Sequence, residues 1–184
     1  MEVSAIPRSG EQLLPRAISG DRDAFAGLVR CNQAMVFSLA WHSLRNEAQA
    51  EDLAQDVFLE LHKVLRTLES DAHVTNWLRR VTSHRCIDQA RRRGTRQDVA
   101  LDEIVEPAAP AESGPDPLLR EKLRRLTASL PDTAREVLLL RYQEDMEPGE
   151  IASLLEMPLN TVKSHLQRTL QMLRTKLRRT GVEA

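Results

Sequence analysis

Residues 147–177 decide the fold and read E-P-G-E-I-A-S-L-L-E-M-P-L-N-T-V-K-S-H-L-Q-R-T-L-Q-M-L-R-T-K-L. Pro148 is tolerated in the first turn of a helix, where its missing N–H would have no partner, and an apolar face follows over two turns. Pro158 forces the residue before it out of the α region, so this first helix ends near Glu156. A second helix restarts near Asn160, and its buried stripe is Val162, Leu166, Leu170 and Leu173. The stretch therefore predicts a helix-turn-helix.

The outward face of the second helix carries polar and basic side chains. They are Asn160, Thr161, Lys163, Ser164, Gln167 and Arg168. Side chains of these types read base edges and hold phosphates in a DNA major groove. From residue 160 to residue 182 there are six Lys and Arg residues and no Asp or Glu, a field of one sign that suits a polyanion. An ordinary helical hairpin with a solvated outer face remains the alternative.

The composition favours an all-α protein. Helix-forming residues dominate the 184-residue chain, which has only 7 glycines and 3% aromatic residues. The formal net charge of −1 conceals a segregation of charge along the chain. Acidic residues cluster at 47–60 and 98–116, and basic residues at 79–96 and near the C-terminus. The charge of each segment, rather than the average, therefore indicates its partners.

The sequence contains no targeting or metal-binding pattern. Neither a signal-peptide pattern nor an apolar run near the ~20 residues that span a bilayer occurs, so we expect a cytoplasmic protein. Cys31 and Cys86 are far apart and form no C-x-x-C or Cys/His cluster, which favours two reduced, partly buried thiols over a disulfide or zinc site. We expect no metal and no cofactor.

The N-terminal part of the chain contains two predicted long helices. Residues 1–10 are unpatterned, and we expect them to be disordered. A short helix ends at Gly20, after which Asp21 or Asp23 is the expected N-cap of the first long helix. The second long helix is predicted over 47–66.

One face of the second long helix forms an acidic strip, opposite its apolar residues. The strip consists of Glu51, Asp52, Gln55, Asp56 and Leu59. Leu59 follows Asp52 by seven positions and therefore lies on the same side of the helix. A leucine among carboxylates suits a partner surface that is basic at its rim and apolar at its centre. A solvated face with one scattered leucine is the other interpretation.

A loop is expected at 68–76, followed by a third helix that Trp77 opens. The apolar stripe of this helix ends after one or two turns, because Arg85 and Asp88 occupy positions that a core-facing helix would fill with leucine. A helix that stops being amphipathic indicates more than a packing role. Its basic residues, opposed only by Asp88, predict a second nucleic-acid surface and are Arg79, Arg80, Arg85, Arg91, Arg92, Arg93 and Arg96.

The segment 97–116 separates two predicted domains. It is acidic, contains prolines and lacks basic residues, so it buries too little apolar surface to fold alone. We expect a flexible acidic linker between a helical domain at 11–96 and a second one at 117–184. In the second domain a helix near 118–126 and a turn at Leu130-Pro131 precede the helix-turn-helix.

Four motifs in this order resemble the extracytoplasmic-function (ECF) class of bacterial sigma factors. They are A-E-D-L-A-Q-D-V-F-L-E-L-H at 50–62, W-L-R-R-V at 77–81, L-P-x-x-x-R-E-V-L-L-L-R-Y at 130–142 and E-I-A-x-L-L-x-M-P-L-N-T-V-K-S-H-L-Q-R at 150–168. The resemblance covers roughly residues 13–178. It implies a region 2 helical bundle and a region 4 helix-turn-helix domain.

The resemblance implies roles for the first domain. The acidic strip would dock on the coiled coil of the β′ subunit of RNA polymerase, with Phe58 supporting the helix from its buried side. The loop at 68–76 resembles the family's pocket for a flipped base of the promoter −10 element, although His84 stands where the family usually has Asn. The residues implied in −10 binding are Asn76, Trp77, Arg79, Arg80, Ser83, His84, Asp88, Arg91 and Arg92.

The resemblance also implies that the helix-turn-helix lies in the −35 major groove and adds His165, where the family usually has Arg, to its reading face. The family usually has Gly at Glu156, so a slightly strained or reshaped turn is predicted. The implied partners are core RNA polymerase (β′ coiled coil and β flap), promoter DNA and a membrane-associated anti-sigma factor, with no small-molecule substrate.

Two other functions remain open. A stand-alone helix-turn-helix regulator with a helical N-terminal domain would explain residues 147–177 but not the acidic strip. A helical enzyme with a DNA-binding tail lacks support, since the sequence contains no Gly-rich phosphate loop and no H-E-x-x-H motif. No catalytic residue is expected.

Overall fold

The computed structural model describes residues 12–94, 123, 125–127 and 129–179. Every regular element in these ranges is a helix or a helical turn, which confirms the all-α prediction. The expected disordered start at 1–10 and the expected linker at 97–116 lie outside the described residues.

The chain divides into two compact units, residues 1–86 and 87–184. The division falls inside a helix. The domain boundaries expected on either side of 97–116 stay a prediction, because that segment is not among the described residues.

The helices in the N-terminal part of the chain follow one another closely. They are α1 (Leu13–Ile18), α2 (Arg22–Leu44), α3 (Glu47–Val64), a 3₁₀ turn (Leu65–Thr67) and α4 (Asp71–Gly94). The two long helices α2 and α3 pack against each other, and α1 packs on α2.

Local capping signals define where the first long helix begins. Gly20 has φ +96°, a left-handed conformation that glycine adopts without steric cost, and it separates α1 from α2. The Asp21 carboxylate then accepts hydrogen bonds from the backbone N–H groups of Asp23 and Ala24 at 2.9 and 3.1 Å. These contacts confirm the predicted helix end and the first of the two predicted N-caps.

Helical periodicity supplies the core of the first unit. Its buried apolar side chains lie mostly on one side of each long helix and include Ala24, Leu28, Val36, Leu39, Ala40, Ala50, Leu53, Val57, Leu61, Val74 and Leu78. Burying one Leu or Val side chain stabilises a fold by about 1.5–3 kcal/mol relative to leaving it exposed. The acidic strip is therefore held on a helix whose opposite face is fixed in the core.

Helix α4 begins earlier than expected. The Ser70 carbonyl accepts the Val74 N–H at 3.0 Å, and the Ser70 hydroxyl accepts the His73 N–H at 3.1 Å, so Ser70 caps a helix that starts at Asp71. The predicted loop at 68–76 is wrong, because residues 71–76 are helical. A base pocket built from a nine-residue loop is not present in this fold.

The first turns of α4 are hydrogen-bonded to α1 and α2. The Asp71 carboxylate accepts the backbone N–H groups of Leu13 and Leu14 at 3.0 and 2.9 Å, which caps the start of α1. The Thr75 hydroxyl donates to Asn32 of α2 at 2.9 Å. Polar contacts between distant parts of the sequence thus fix where α4 lies within the first unit.

The buried stripe of α4 does not end where the sequence indicated. It continues from Val74 and Leu78 through Thr82 and Cys86 at a spacing of four residues, and all four side chains are buried. The run of large apolar side chains in this stripe ends after Leu78, as expected, but the same side of α4 stays buried through Thr82 and Cys86. Small polar and thiol side chains continue the stripe that leucines would usually carry.

The second unit contains the predicted helix-turn-helix. Its helices are α5 (Asp132–Tyr142), α6 (Pro148–Leu154) and α7 (Leu159–Arg179), and α5 and α6 both pack on α7. Residues 123 and 125–127 are also helical, whereas the rest of the predicted helix at 118–126 is outside the described residues. The buried apolar core consists of Leu130, Ala134, Val137, Leu138, Leu140, Met146, Ile151, Leu154, Leu155 and Val162.

A buried arginine fixes the turn before α5. The Arg135 guanidinium donates to the backbone carbonyls of Leu130 and Thr127 at 2.8 and 3.2 Å and pairs with Asp132 at 3.1 Å. Carbonyl groups of a turn need partners when they are removed from water, and the guanidinium supplies several donors from one side chain. The predicted turn at Leu130-Pro131 is confirmed.

Candidate nucleic-acid and protein-binding surfaces

The turn of the helix-turn-helix is built on a left-handed residue. Glu156 has φ +53°, and the Met157 N–H donates to the Ala152 carbonyl at 2.9 Å. A bond of this span together with a left-handed residue closes a helix C-terminus in the Schellman manner, a position that usually holds glycine. The strained turn predicted from the sequence is therefore present. A residue with a Cβ, such as Glu156, is energetically disfavoured in this left-handed conformation.

The start of α6 is fixed by two sets of contacts. The Glu150 carboxylate accepts the Glu147 N–H at 2.7 Å, which satisfies one of the otherwise unpaired donors at the helix start. The Arg141 guanidinium, at the end of α5, donates to the Met146 carbonyl at 3.0 Å and pairs with Glu147 at 3.1 Å. These contacts hold α6 at a defined position relative to α5.

The predicted reading face lies on the first three turns of α7. Asn160, Lys163, Gln167 and Arg168 are exposed, and the helical repeat puts all four on one side of the helix. Thr161, Ser164 and His165 are half-buried at its edges, and Val162 on the opposite side is fully buried. The structure thus brings the seven predicted residues to one end of one helix.

The acidic strip is exposed along α3. Glu51, Asp52, Gln55 and Asp56 all face solvent, and Leu59 is 62% exposed. Phe58, which was expected on the buried side, is half-buried. An exposed leucine surrounded by carboxylates has the composition of a small protein-binding surface, with an apolar centre and a charged rim.

The residues expected to bind the −10 strand are divided by burial. Asn76, Arg80, Asp88, Arg91 and Arg92 are exposed, whereas Trp77, Arg79 and His84 are half-buried. Asn76, Arg80, His84 and Asp88 recur every four residues and therefore share one side of α4. The side chains of Arg93 and Arg96 lie outside the described residues.

Ser83 is the exception in this set. Its side chain is fully buried, as is that of the neighbouring Thr82, and neither hydroxyl has a hydrogen-bond partner in the described part of the chain. A side chain with no exposed surface cannot contact a strand that binds from outside. The structure therefore removes Ser83 from the exposed surface, because the buried stripe of α4 widens at this turn.

Comparison with known proteins identifies the family. The family model of sigma-70 region 2 matches residues 28–96, and that of sigma-70 region 4 matches residues 120–173, which together cover about two thirds of the chain. The ECF RNA polymerase sigma factor SigW of Bacillus subtilis is 28% identical over 171 residues, covering 86% of this chain and 91% of SigW. The chain belongs to the ECF class of sigma factors.

One further relative and one solved structure bear on the class and the fold of this ECF sigma factor. SigM of Mycobacterium tuberculosis (strain ATCC 35801 / TMC 107 / Erdman), also an ECF sigma factor, is 27% identical over 161 residues, covering 88% of this chain and 81% of SigM. The sigma factor RpoE of Bartonella quintana, solved with the anti-sigma factor NepR, superposes with a TM-score of 0.67 at 19% identity. That alignment covers 82% of this chain and 94% of RpoE and shows a shared fold.

In this ECF sigma factor, Arg85 of α4 contacts α3, a contact that the sequence does not predict. It was grouped with the nucleic-acid surface of α4, but its guanidinium pairs with Asp56 at 3.5 Å and with Glu60, both on α3. A contact between residues 25 and 29 positions apart has no signature in the periodicity of either helix. The positive charge of Arg85 is therefore paired with carboxylates of α3 and is less available to a nucleic acid.

No further chemistry is apparent in the described residues of this sigma factor. Within them, no His, Cys, Asp and Glu side chains converge in a group that could hold a metal ion, and none of the helices is long and apolar enough to cross a membrane. Cys86 is buried, but Cys31 is exposed, so the expectation of partial burial is wrong for Cys31.

Proposed function

We propose that this ECF sigma factor binds core RNA polymerase and directs promoter-specific initiation of transcription. It would recognise the −35 element as duplex DNA with α7 and the −10 element as a melted strand with α4. The observation that carries this proposal is the acidic strip with its exposed Leu59, because a stand-alone regulator has no need of such a surface.

The strip is proposed to bind the β′ coiled coil of polymerase. Asp52 and Asp56 would meet basic residues at the rim of the contact, and Leu59 would enter an apolar centre. Rim charges mainly accelerate and orient association, whereas a buried apolar anchor slows dissociation. The β flap is the proposed polymerase contact of the second unit.

Promoter contact is proposed for the exposed faces of two helices. On α4 the contact residues are Asn76, Trp77, Arg79, Arg80, His84, Asp88, Arg91 and Arg92. On α7 they are Asn160, Thr161, Lys163, Ser164, His165, Gln167 and Arg168. Each contact alone is modest, but two modest contacts tethered through polymerase multiply through effective concentration. Recognition would then depend on both promoter elements.

The remaining parts of the proposal concern organisation and regulation. The domains would be region 2 at 11–96, the linker at 97–116 and region 4 at 117–184, in a cytoplasmic protein without catalytic residues of its own. An anti-sigma factor, membrane-associated in this proposal, would hold it inactive. The complex of RpoE with the anti-sigma factor NepR supports the regulatory part, since that sigma factor shares the fold.

Transcription in vitro tests the proposal. The purified chain is added to core polymerase with a genomic DNA library, and start sites are mapped. Initiation at a defined set of promoters sharing −35 and −10 elements is expected. Failure of the chain to associate with core polymerase at low salt would favour the stand-alone regulator.

A charge reversal tests the strip itself. Asp52→Lys combined with Asp56→Lys should abolish association with core polymerase, because four units of charge change at the rim of the contact. The matched control reverses two exposed carboxylates elsewhere in the first unit, Asp23→Lys and Glu69→Lys. Circular dichroism checks the fold of both variants, and equal polymerase binding by both would remove the strip from the interface.

A further inference from the structure

Arg85 connects the helix proposed to bind DNA with the helix proposed to bind polymerase. Its guanidinium reaches from α4 to two carboxylates of α3, Asp56 and Glu60, which lie one helical turn apart. Asp56 belongs to the acidic strip, whereas Glu60 lies at the edge of the strip and is less exposed. One positive charge is therefore shared between the more exposed carboxylate, Asp56, and the less exposed one, Glu60.

The two arms of this bridge are unequal. The Nη2 arm makes a close, direct contact with Glu60, and that carboxylate is 39% exposed. The Nη1 atom is 3.5 Å from the Asp56 carboxylate, a distance at the outer limit of hydrogen bonding. The Asp56 side chain is 67% exposed. Glu60 is thus the anchor of Arg85, and Asp56 is a contact that a competing cation can take over.

We infer that Arg85 competes with polymerase for Asp56 and thereby lowers the affinity of the acidic strip for its basic partner surface. The inference rests on the proposed function of the strip. When a basic surface docks, its cation replaces the Nη1 arm at Asp56, and Arg85 stays on Glu60. The helix α4 then remains attached to α3 in the bound state.

Two physical effects act in the same direction. An exposed ion pair that must be given up lowers a binding constant by about 1.5- to fivefold. The charge of Arg85 also repels an incoming cation, by about threefold for unit charges ~7 Å apart in water, and less when salt screens them. The opposing effect is that Arg85 holds the Asp56 side chain in place, which matters little for a short side chain with few rotamers.

The experiment measures the affinity of the full chain for core polymerase. The variants are Arg85→Gln, Asp56→Asn and their combination, and the readout is fluorescence anisotropy of a labelled chain at two salt concentrations. Arg85→Gln should bind core polymerase about two- to fivefold more tightly than the wild type. In the Asp56→Asn background, the same substitution should give a gain that is smaller by about 1.5- to fivefold, since the ion pair is gone and only the repulsion, which salt screens, remains.

Two further variants separate this effect from others. Arg85→Lys keeps the charge beside Glu60 but has no second arm for Asp56, so it should bind more tightly than the wild type and less tightly than Arg85→Gln, because the repulsion remains. It is the test if Arg85→Gln folds poorly, and binding equal to or weaker than that of the wild type would then overturn the inference. Arg66→Gln removes one exposed positive charge ten residues after Asp56 and should leave the affinity within about 1.5-fold. Circular dichroism and the unfolding midpoint are measured for every variant.

The outcomes distinguish the inference from the proposed function. If the wild-type chain does not bind core polymerase, the proposed function fails. If the wild type binds but a folded Arg85→Gln chain binds equally or more weakly, the inference about Arg85 is overturned while the proposed function stands. An equal gain in the Asp56→Asn background would also overturn it, because the effect would not pass through that carboxylate.

Discussion

The Thr75 hydroxyl donates a hydrogen bond to the Asn32 side-chain carbonyl at 2.9 Å, across 43 positions of sequence. Asn32 is buried, and its amide nitrogen donates to the Leu28 carbonyl at 2.8 Å. Both ends of a buried amide are therefore satisfied, one by its own helix and the other by α4. A hydrogen bond in this position fixes the register between two helices as well as their separation.

Thr75→Val should destabilise the protein because it leaves the buried Asn32 carbonyl without its donor. An unsatisfied buried acceptor costs about 1–3 kcal/mol in the free energy of unfolding. The measurement is urea-induced unfolding followed by circular dichroism. Thr75→Ser keeps the hydroxyl and should lose less, so equal losses for Val and Ser would show that the hydrogen bond contributes nothing.

The cap at Asp21 predicts a dependence of stability on pH. The N–H of Ala24 and the Arg16 side chain lower the pKa of the Asp21 carboxyl below its ordinary 3.8. Because the folded pKa is lowered, the stabilisation is fully present above pH ~4 and is lost as the pH falls through the folded value. The difference in unfolding temperature between wild type and Asp21→Ala should therefore be positive near neutral pH and shrink in acid.

The control for this cap is Asp21→Asn. Asparagine caps a helix about as well as aspartate but does not titrate. The difference in unfolding temperature between the Asn and Ala variants should consequently be independent of pH. A wild-type advantage over Asp21→Ala that stays unchanged as the pH falls below the ordinary carboxyl pKa of 3.8 would contradict the role of the carboxylate.

The left-handed turn at Glu156 predicts a stabilising substitution. A residue with a Cβ loses about 1–2 kcal/mol in this conformation, whereas glycine gives back about 0.4–1 kcal/mol through its more flexible unfolded chain. Glu156→Gly should therefore raise the free energy of unfolding by about 0.5 kcal/mol, measured by chemical denaturation. Glu156→Ala keeps the strain, so an equal gain for Ala would assign the effect to the lost side chain instead.

Two basic residues of the reading face should determine the salt dependence of −35 binding. Each phosphate contact contributes about −0.9 to the slope of log affinity against log salt concentration. Lys163→Ala with Arg168→Ala should therefore flatten that slope by about 2 units, measured with a −35 duplex. The control, Arg30→Ala with Arg66→Ala, removes equal charge from exposed positions of the first unit and should leave the slope unchanged.

The helix-turn-helix could be predicted because its signals are local. Pro148 and Pro158 mark where helices begin. Of the stripe predicted for α7, however, only Val162 is buried, and the half-buried members are Leu166, Leu170 and Leu173. The signals of the acidic strip are also local, since its exposure follows from the apolar face behind it. Even the unusual turn at Glu156 was apparent, since the resemblance puts a glycine there.

Most of the errors concern α4, and their cause is long-range; the exposed Cys31 of α2 is the exception. The sequence does contain a start signal for α4, because serine is a favoured N-cap and Ser70 accepts the His73 N–H, but the predicted loop at 68–76 does not take it into account. Neither the burial of Ser83 nor the pairing of Arg85 with α3 has a counterpart in local spacing. Those features depend on which helices pack together, which a periodicity does not specify.

The Asp71 carboxylate that closes the start of α1 has a consequence for synthesis. A ribosome releases residues 13 and 14 long before residue 71, so during that interval the first helix has backbone N–H groups that only water can satisfy. A nascent chain stalled before residue 71 should leave α1 open to protease, and one stalled well after it should protect that segment. The N-terminal end of α1 is therefore completed only after the ribosome has synthesised the start of α4.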